Sequence, residues 1–241
     1  MQEGMVVWLF GRGLSMGCGL GWDLPKEWEM LARDQKVIQI KDTLNNLMND
    51  PKINTRVVQQ FLSHLEMQTN KGWRHLFGTT NWDYLLQREV LKLGLTTLPP
   101  WLASSHVFHI NGTVEHLLDN TNRSPFILVE DPANIRTPSS EADIFFNRMI
   151  WQKIFIVVGM SFECDSDRFL LSAINQVGDA LPIGESFWII INPDQNILNL
   201  LEHRIKNALP RAKIISFCDT FNDWINLNFP GLNATDVFIN N

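Results

Sequence analysis

The fold is indicated by the stretch Met5-Val6-Val7-Trp8-Leu9-Phe10-Gly11-Arg12-Gly13-Leu14-Ser15, near the start of the 241-residue chain. It begins with an apolar run rich in β-branched and aromatic side chains, which is typical of a buried strand. The two glycines that follow allow a tight turn and a close approach of the backbone to a phosphate. A strand that runs into such a turn predicts a nucleotide-binding α/β domain.

Similar apolar runs recur along the chain and alternate with segments of helical periodicity. This alternation predicts an α/β fold of the Rossmann-like, doubly wound type, with a parallel sheet of about six strands and helices on both faces. The predicted strands are Met5–Phe10, Arg74–Thr79, Ser105–Ile110, Ile154–Val158, Phe187–Ile191 and Lys213–Phe217, with a weaker candidate at Phe126–Val129. Helices are predicted within Glu27–Met48, Arg56–Thr69, Trp82–Leu93, Glu141–Trp151, Ser166–Val177, Gln195–Ala208 and Phe221–Asn228.

The spacing of these elements predicts one domain over residues 1–232. Two consecutive helices precede the second strand, which is more than a plain crossover connection needs. We therefore expect a small helical insertion after the first strand, at about residues 24–72. Residues 233–241 form a polar C-terminal tail.

The composition bounds the class of protein. Hydrophobic residues make up 45% and charged residues 19% of the chain, as in a folded globule, and the formal net charge of −6 argues against direct nucleic-acid binding. The cysteines are Cys18, Cys164 and Cys218, too few and too far apart for a disulfide framework or a four-cysteine metal site. We expect a cytoplasmic protein with no bound metal and no membrane segment.

Polar residues cluster where the predicted strands end, which is the edge where open parallel sheets bind ligands. The first turn contains G-x-G but not the dehydrogenase fingerprint G-x-G-x-x-G, because Met16 holds the last place and Gly17 comes one residue late. An ordinary dehydrogenase is therefore not expected. The candidate site residues are Gly11, Arg12, Gly13, Ser15, Thr80, Asn81, Asp83, His109, Asn111, Gly159, Ser161, Asn192, Cys218 and Asp219.

Read together, these motifs resemble those of the sirtuin family. Gly11-Arg12-Gly13-Leu14-Ser15, followed by Gly19-Leu20, is similar to the sirtuin pattern G-A-G-x-S with a downstream G-I-P, and Thr79-Thr80-Asn81-Trp82-Asp83 is similar to T-Q-N-I-D. The second motif is closer still to the T-T-N-Y-D form of bacterial sirtuin-like NADases. Three later segments resemble sirtuin motifs and occur in the family order. His109-Ile110-Asn111-Gly112-Thr113 is similar to H-x-H-G-S, Val158-Gly159-Met160-Ser161 to V-G-x-S, and Ile191-Asn192-Pro193 to the I-N turn that binds the adenosine ribose.

The resemblance implies an enzyme that uses NAD as a substrate. Protein-deacylating sirtuins carry a structural zinc held by two CxxC pairs, and the sequence contains no CxxC. The resemblance therefore implies an NAD glycohydrolase without zinc, which releases nicotinamide and ADP-ribose. Relatives of this kind act as effectors that deplete NAD in bacterial antiphage defence, so a regulatory or sensor partner, or a homo-oligomer, is implied as well.

Asn81 is the first catalytic candidate, because its amide can both donate and accept hydrogen bonds and can therefore orient a water and a ribose hydroxyl. The second is His109. The family has its catalytic histidine directly before the glycine of H-G, where this chain has Asn111, and positions two apart on a strand share a face. His109 is either that substitute or a core histidine, in which case Asn111 binds ribose and the protein is an inactive NAD or ADP-ribose binding subunit. An ADP-ribosyl or deacyl transferase is a third hypothesis.

The remaining candidates are assigned to NAD binding by the resemblance. Ser15, Ser161 and Asn192 are expected at the phosphates or the adenosine ribose, and Asp83 is expected to organise its loop. Arg12 stands where the family has alanine, and it serves either the pyrophosphate or a phosphorylated ribose. Cys218 and Asp219 follow the last strand, where sirtuins contact adenine.

Overall fold

The computed structural model describes residues 5–69, 73–93, 107–114, 128, 140–162, 170–172, 174–176 and 181–229. The strands are β1 (Met5–Phe10), β2 (Arg74–Thr79), β3 (Phe108–His109), β4 (Ile154–Val158), β5 (Phe187–Ile191) and β6 (Lys213–Phe217). The helices are α1 (Arg12–Gly17), α2 (Arg33–Met48), α3 (Arg56–Thr69), α4 (Leu85–Lys92), α5 (Ser140–Met149), α6 (Gln195–Ala208) and α7 (Phe221–Asn228). Two 3-10 helices lie at Lys26–Met30 and Pro182–Glu185.

The six strands form one parallel sheet in the order β3-β2-β1-β4-β5-β6. This is the Rossmann order, and it confirms the predicted fold class. The chain leaves β1 toward β2 on one side and returns to β4 on the other. The carboxyl ends of β1 and β4 therefore flank the switch point at which such sheets bind ligands.

Alternating residues of β1 point into two cores, one on each face of the sheet. Val6, Trp8 and Phe10 belong to the first core, which α3, α4 and α7 cover. Val7 and Leu9 belong to the second core, which α5 and α6 cover. Helices on both faces explain why the central strands read as continuous apolar runs.

A third, smaller core attaches the inserted helix α2 to the rest of the domain. It buries Val37, Ile40 and Leu44 of α2, and the partly buried side chains packed against it are Trp22, Trp28, Trp82 and Tyr84. Two of these belong to the loop after β2, so the insertion braces the loop that carries the T-T-N-W-D motif.

Several predicted boundaries are wrong. The helix expected at Glu27–Met48 is divided, because Leu31 and Ala32 are extended, with ψ of 146° at both, between the first 3-10 helix and α2. The helix predicted within Trp82–Leu93 is observed as α4, which begins at Leu85 because the Trp82 carbonyl accepts hydrogen bonds from Thr113 and Val114 rather than from its own helix.

The third predicted strand, Ser105–Ile110, is observed only as β3, because Ile110 lies in a turn closed by a hydrogen bond from the Gly112 N–H to the His109 carbonyl. Ser105 lies outside the described residues, as does most of the weaker candidate strand, of which Leu128 is buried without regular structure. Residues 170–172 and 174–176 are helical within the helix predicted at Ser166–Val177, whose other residues lie outside the described set. The C-terminal tail also lies outside it.

Among the described residues, none of the helices combines the length and the hydrophobicity needed to cross a lipid bilayer.

A buried histidine in the first core makes stability depend on pH. His75 is 3% exposed and accepts a hydrogen bond from the Trp8 indole N–H at 3.2 Å, and burial lowers its pKa from the ordinary 6.5 to about 4. Folding therefore favours the neutral ring. Above pH 6.5 the ring is neutral whether the chain is folded or unfolded, whereas between pH 6.5 and 4 only the unfolded chain takes up the proton.

We expect the free energy of unfolding to fall as the pH is lowered from about 6.5 to about 4, by roughly 3 kcal/mol from this group. Denaturant titrations of the wild type and His75→Gln at a series of pH values measure it. Glutamine retains an acceptor for Trp8 but does not titrate. The exposed His203→Gln is the matched control. The assignment is contradicted if His75→Gln keeps the full wild-type dependence on pH.

Candidate functional site

A cavity of about 560 Å³ lies at the carboxyl ends of β1, β2, β4 and β5. Its size is in the range of small-molecule and cofactor sites. It collects candidates that are far apart in the sequence, and those that line it are Gly11, Arg12, Gly13, Ser15, Thr80, Asn81, Asp83, Gly159, Ser161 and Asn192. The candidates that the described lining does not include are His109, Asn111, Cys218 and Asp219.

The loops after β1 and β4 touch backbone to backbone at the base of this cavity. The Gly13 N–H donates to the Gly159 carbonyl at 2.9 Å, and the Gly11 N–H donates to the Val158 carbonyl at 2.9 Å. A Cβ at Gly159 would lie 2.5 Å from the Gly13 Cα, and Gly159 has a φ of +58°. The glycines are thus required by loop-to-loop packing, and the Gly13 N–H is already used within the protein.

The Asn81 side chain is fixed in one orientation. Its Nδ2 donates to the Gly11 carbonyl at 3.1 Å and to the Ser15 hydroxyl at 3.0 Å. A carbonyl oxygen only accepts, so the contact with Gly11 identifies which end of the amide is nitrogen. Both amide hydrogens are therefore committed to the protein, and Oδ1 is the atom of this cavity-lining side chain that remains to accept a hydrogen bond from a ligand or water.

The Ser15 hydroxyl, which accepts from Asn81, also forms a hydrogen bond with Asp83. The Ser15 hydroxyl donates to Oδ2 of Asp83 at 2.8 Å, and Oδ1 accepts from the Leu85 N–H at 3.1 Å. Burial raises the pKa of the Asp83 carboxyl, and the hydrogen bonds from Ser15 and Leu85 oppose that rise. The resulting chain, Asn81 to Ser15 to Asp83, joins the first and second strand ends through hydrogen bonds at the cavity wall.

The loop after β2 is held by hydrogen bonds to four successive carbonyl groups, which begin with that of Thr79, the last residue of β2. Each accepts from the segment 109–114: Thr79 from the Ile110 N–H at 2.9 Å, Thr80 from Nδ2 of Asn111 at 3.0 Å, Asn81 from Nδ1 of His109 at 3.3 Å, and Trp82 from Thr113 and Val114 at 3.1 and 2.8 Å. The position of Asn81 is consequently set from the segment beside it.

His109 is 1% exposed and contacts the main chain of Asn81. Because its Nδ1 faces the Asn81 carbonyl, which only accepts, Nδ1 carries a proton. Its Nε2 lies 2.9 Å from the side-chain amide of Gln87, which can accept from a protonated Nε2 or rotate to donate to a neutral one. Gln87 was missed from the sequence, where nothing distinguishes it from other polar residues of α4.

Asn111 is also buried, at 4% exposure, and Nδ2 contacts the Thr80 carbonyl. Its Oδ1 is buried and has no hydrogen-bond partner among the described residues. Asn111 and His109 therefore contact the motif loop without being among the described residues that line the cavity.

The far rim of the cavity is formed by the loops after β4 and β5. Asn192 joins them, because its Nδ2 lies 3.4 Å from the Met160 carbonyl and its Oδ1 accepts from the Asp194 N–H at 2.9 Å. Arg204 of α6 donates to the carbonyls of Ser161 and Phe162, and the buried Phe162 has a φ of +52°. The loop beside Ser161 is thus held in a constrained conformation.

Of the two candidates after β6, Cys218 is exposed and Asp219 is partly buried. The Cys218 thiol lies 3.5 Å from the carbonyl of Pro193, a residue that lines the cavity, so the end of β6 lies just outside the rim.

An apolar wall that we did not predict completes the cavity. Its residues are Met16, Leu20, Trp22, Leu24, Leu44, Trp82, Met160, Pro193 and Ile197. Several come from the segment after α1, where the sequence signal is the tryptophan and leucines between Gly19 and Pro25. In the part of the chain that the structure describes, no group of three or more His, Cys, Asp or Glu side chains is placed to hold a metal ion.

Comparison with solved structures identifies the fold as that of the sirtuins. A structure that addresses the mechanism and regulation of Sir2 enzymes matches 91% of this chain and 88% of its own, with a TM-score of 0.51 and 12% sequence identity. A structure that addresses sirtuin substrate affinity matches 93% of each chain, with a TM-score of 0.54 and 13% identity. No model of a known protein family matches the chain, and no curated protein matches it.

The contact between Gly13 and Gly159 predicts a large difference between two glycine substitutions. Gly159→Ala places a methyl group against Gly13 and strains a left-handed backbone, so we expect it to lower the free energy of unfolding by about 2 to 4 kcal/mol. Gly21→Ala is the control, because a Cβ there meets nothing within 4 Å, and we expect a change below about 0.5 kcal/mol. Denaturant unfolding measures both, and equal effects would contradict the packing argument.

Proposed function

We propose that this protein is an NAD glycohydrolase that cleaves the nicotinamide–ribose bond and releases nicotinamide and ADP-ribose. The observation that carries the proposal is the orientation of Asn81, whose amide is fixed by Gly11 and Ser15 at the wall of a cavity at the switch point of the sheet. The motif resemblance to sirtuin-like NADases supports the choice of substrate.

The residues of the cavity fit a dinucleotide. Gly11, Gly13 and Gly159 bring the first and fourth strand ends to the cavity wall, Asn81 and Ser15 supply neutral polar groups, and Arg12 supplies a positive charge. The apolar wall with Trp22 and Trp82 supplies surface for a flat aromatic ring.

In the proposed reaction the bond between the ribose anomeric carbon and the nicotinamide nitrogen breaks, and the electron pair leaves with nicotinamide. A water oxygen bonds to the same carbon and its proton passes to solvent. The positive charge that develops on the ribose is stabilised by acceptor oxygens held in place beforehand. Oδ1 of Asn81 is such an acceptor, and it orients a ribose hydroxyl or the attacking water.

Asp83 supports this arrangement through its hydrogen bond with Ser15. Its carboxylate receives the Ser15 hydroxyl hydrogen, which leaves the Ser15 oxygen free to accept from Asn81. We assign His109 and Asn111 to the positioning of the motif loop, since both contact its carbonyls and neither is among the described residues of the cavity wall.

A second candidate function is an NAD or ADP-ribose binding subunit without turnover. It is favoured by one observation: among the described residues that line the cavity there is no histidine, and the buried carboxyl, Asp83, is engaged with Ser15 and Leu85. The lack of any CxxC pair in the sequence favours both candidates over a protein deacylase. Control by a partner protein in antiphage defence is part of the proposal and rests on the motif resemblance.

We expect the wild-type chain to release nicotinamide from NAD and Asn81→Ala to reduce kcat by about 100-fold or more, because an oriented acceptor is lost. Asn46→Ala, an exposed substitution on α2, is the control and should leave kcat unchanged. Chromatography of nicotinamide, with calorimetry of ADP-ribose binding in parallel, measures the outcome. Binding without turnover by the wild type supports the second candidate, and absence of both binding and turnover contradicts both candidates.

Gln87 should act on the reaction through His109. We expect Gln87→Leu to lower kcat about 10-fold with little change in KM, because a small displacement of Asn81 misaligns the reacting groups without removing a ligand contact. Gln87→Glu retains an acceptor for His109 and should restore most of the rate. Gln39→Leu, an exposed position on α2, controls for an added leucine. Equal losses in the leucine and glutamate variants, with a lowered Tm, would indicate a purely structural role.

A further inference from the structure

The charges around the cavity single out Arg12. It is the one cationic side chain among the described lining residues, and its side chain is 52% exposed. The carboxylates in the same lining are Asp83, which is engaged with Ser15, and Asp194, which caps α6. Among the described residues of the lining, the Arg12 guanidinium is therefore the group that an anionic ligand can bind.

That guanidinium is already engaged by the segment that follows α1. Nη2 of Arg12 donates to Oδ1 of Asp23 at 2.6 Å and also to the Trp22 carbonyl. Nη2 carries two hydrogens, so these two acceptors take both of them. The other nitrogens of Arg12, Nε and Nη1, have no partner among the described residues.

The engagement of Nη2 limits how a phosphate can bind to Arg12. A guanidinium holds a phosphate best through two parallel hydrogen bonds, either from Nε and Nη2 or from Nη1 and Nη2. Both pairs include Nη2. A phosphate group that binds Arg12 in the bidentate manner must therefore displace Asp23 or the Trp22 carbonyl.

The acceptors belong to a segment that is itself part of the cavity wall. Leu20, Trp22 and Leu24 line the cavity, and Trp22 packs against Trp28 with ring centroids 6.3 Å apart. Asp23 itself is 86% exposed. An exposed ion pair of this kind is weak, so a phosphate can replace the carboxylate without disturbing the packed tryptophan.

We propose that Asp23 is an intramolecular competitor for Arg12, so that a diphosphate-containing ligand binds by exchange of the Asp23 carboxylate for phosphate oxygens on Nη2. The choice of an ADP-ribose moiety as the ligand rests on the proposed function. The exchange itself depends only on the contacts of Arg12. Asp23 thereby lowers the affinity of the cavity for phosphate-containing ligands and leaves the binding of ligands that lack phosphate unchanged.

The test is a double-mutant cycle measured by calorimetry with Asp23→Asn, Arg12→Gln and the double variant. We expect Asp23→Asn to tighten ADP-ribose binding about 2- to 5-fold, which is the range expected when an exposed ion pair no longer competes. Arg12→Gln should weaken ADP-ribose binding, and Asp23→Asn should add nothing in the Arg12→Gln background. Adenosine, which has no phosphate, should bind the wild type and Asp23→Asn equally.

Glu29→Gln removes the same charge from an exposed position nearby in the sequence and controls for net charge. The proposal is overturned if Asp23→Asn does not tighten binding, or if it tightens binding equally in the Arg12→Gln background or no more than Glu29→Gln does. Inorganic pyrophosphate serves as a second probe. If the wild type does not bind ADP-ribose, the proposed function fails, and the pyrophosphate cycle then decides the exchange by the same criteria.

Discussion

The close contact between the backbones of Gly13 and Gly159 is the constraint on which the site depends. It brings the loop after β1 against the loop after β4, across the point where the order of the sheet reverses. The Gly11 carbonyl, held in that same loop, orients the amide of Asn81. A side chain at Gly13 or Gly159 would separate the two loops. The Gly11 carbonyl would then shift, and with it Oδ1 of Asn81, the acceptor carried by the loop after β2. Packing and chemistry are therefore linked through a few backbone atoms.

The sheet was predictable from the sequence because both of its faces are covered. Strands buried on two sides, such as β1 and β4, read as continuous apolar runs, and α3, α6 and α7 have the bounds that their periodicity predicts. α1 was not predicted, because a six-residue helix that contains two glycines has no detectable periodicity. The start of α4 at Leu85 arises from hydrogen bonds to the Trp82 carbonyl, a tertiary contact that no local pattern encodes.

The site was predictable at the strand ends and less so between them. Motif order collected the residues that meet around the cavity, from Gly11 to Asn192. Positions two apart on a strand share a face, so we expected His109 and Asn111 to face the same crevice. However, β3 ends at His109 and the chain turns there. Both side chains contact the backbone of the loop after β2 instead. The role proposed for Gln87 rests on its contact with His109 across space, and the proposed competition between Asp23 and a ligand rests on which nitrogen of Arg12 is engaged.

The row of carbonyls from Thr79 to Trp82 has a consequence for how this site tolerates sequence change. The segment 109–114 binds the main chain of that loop, through side-chain and backbone donors alike. The loop's path is consequently set by this neighbouring segment as well as by the side chains of Asn81 and Asp83. A substitution at Thr80, which lines the cavity and whose carbonyl rather than its side chain is bound by Asn111, can alter the chemistry and shape of the cavity wall while the backbone of Asn81 stays in register. Thr80 thus offers an engineer a variable position on a fixed frame, where new ligand preferences can be selected without rebuilding the fold.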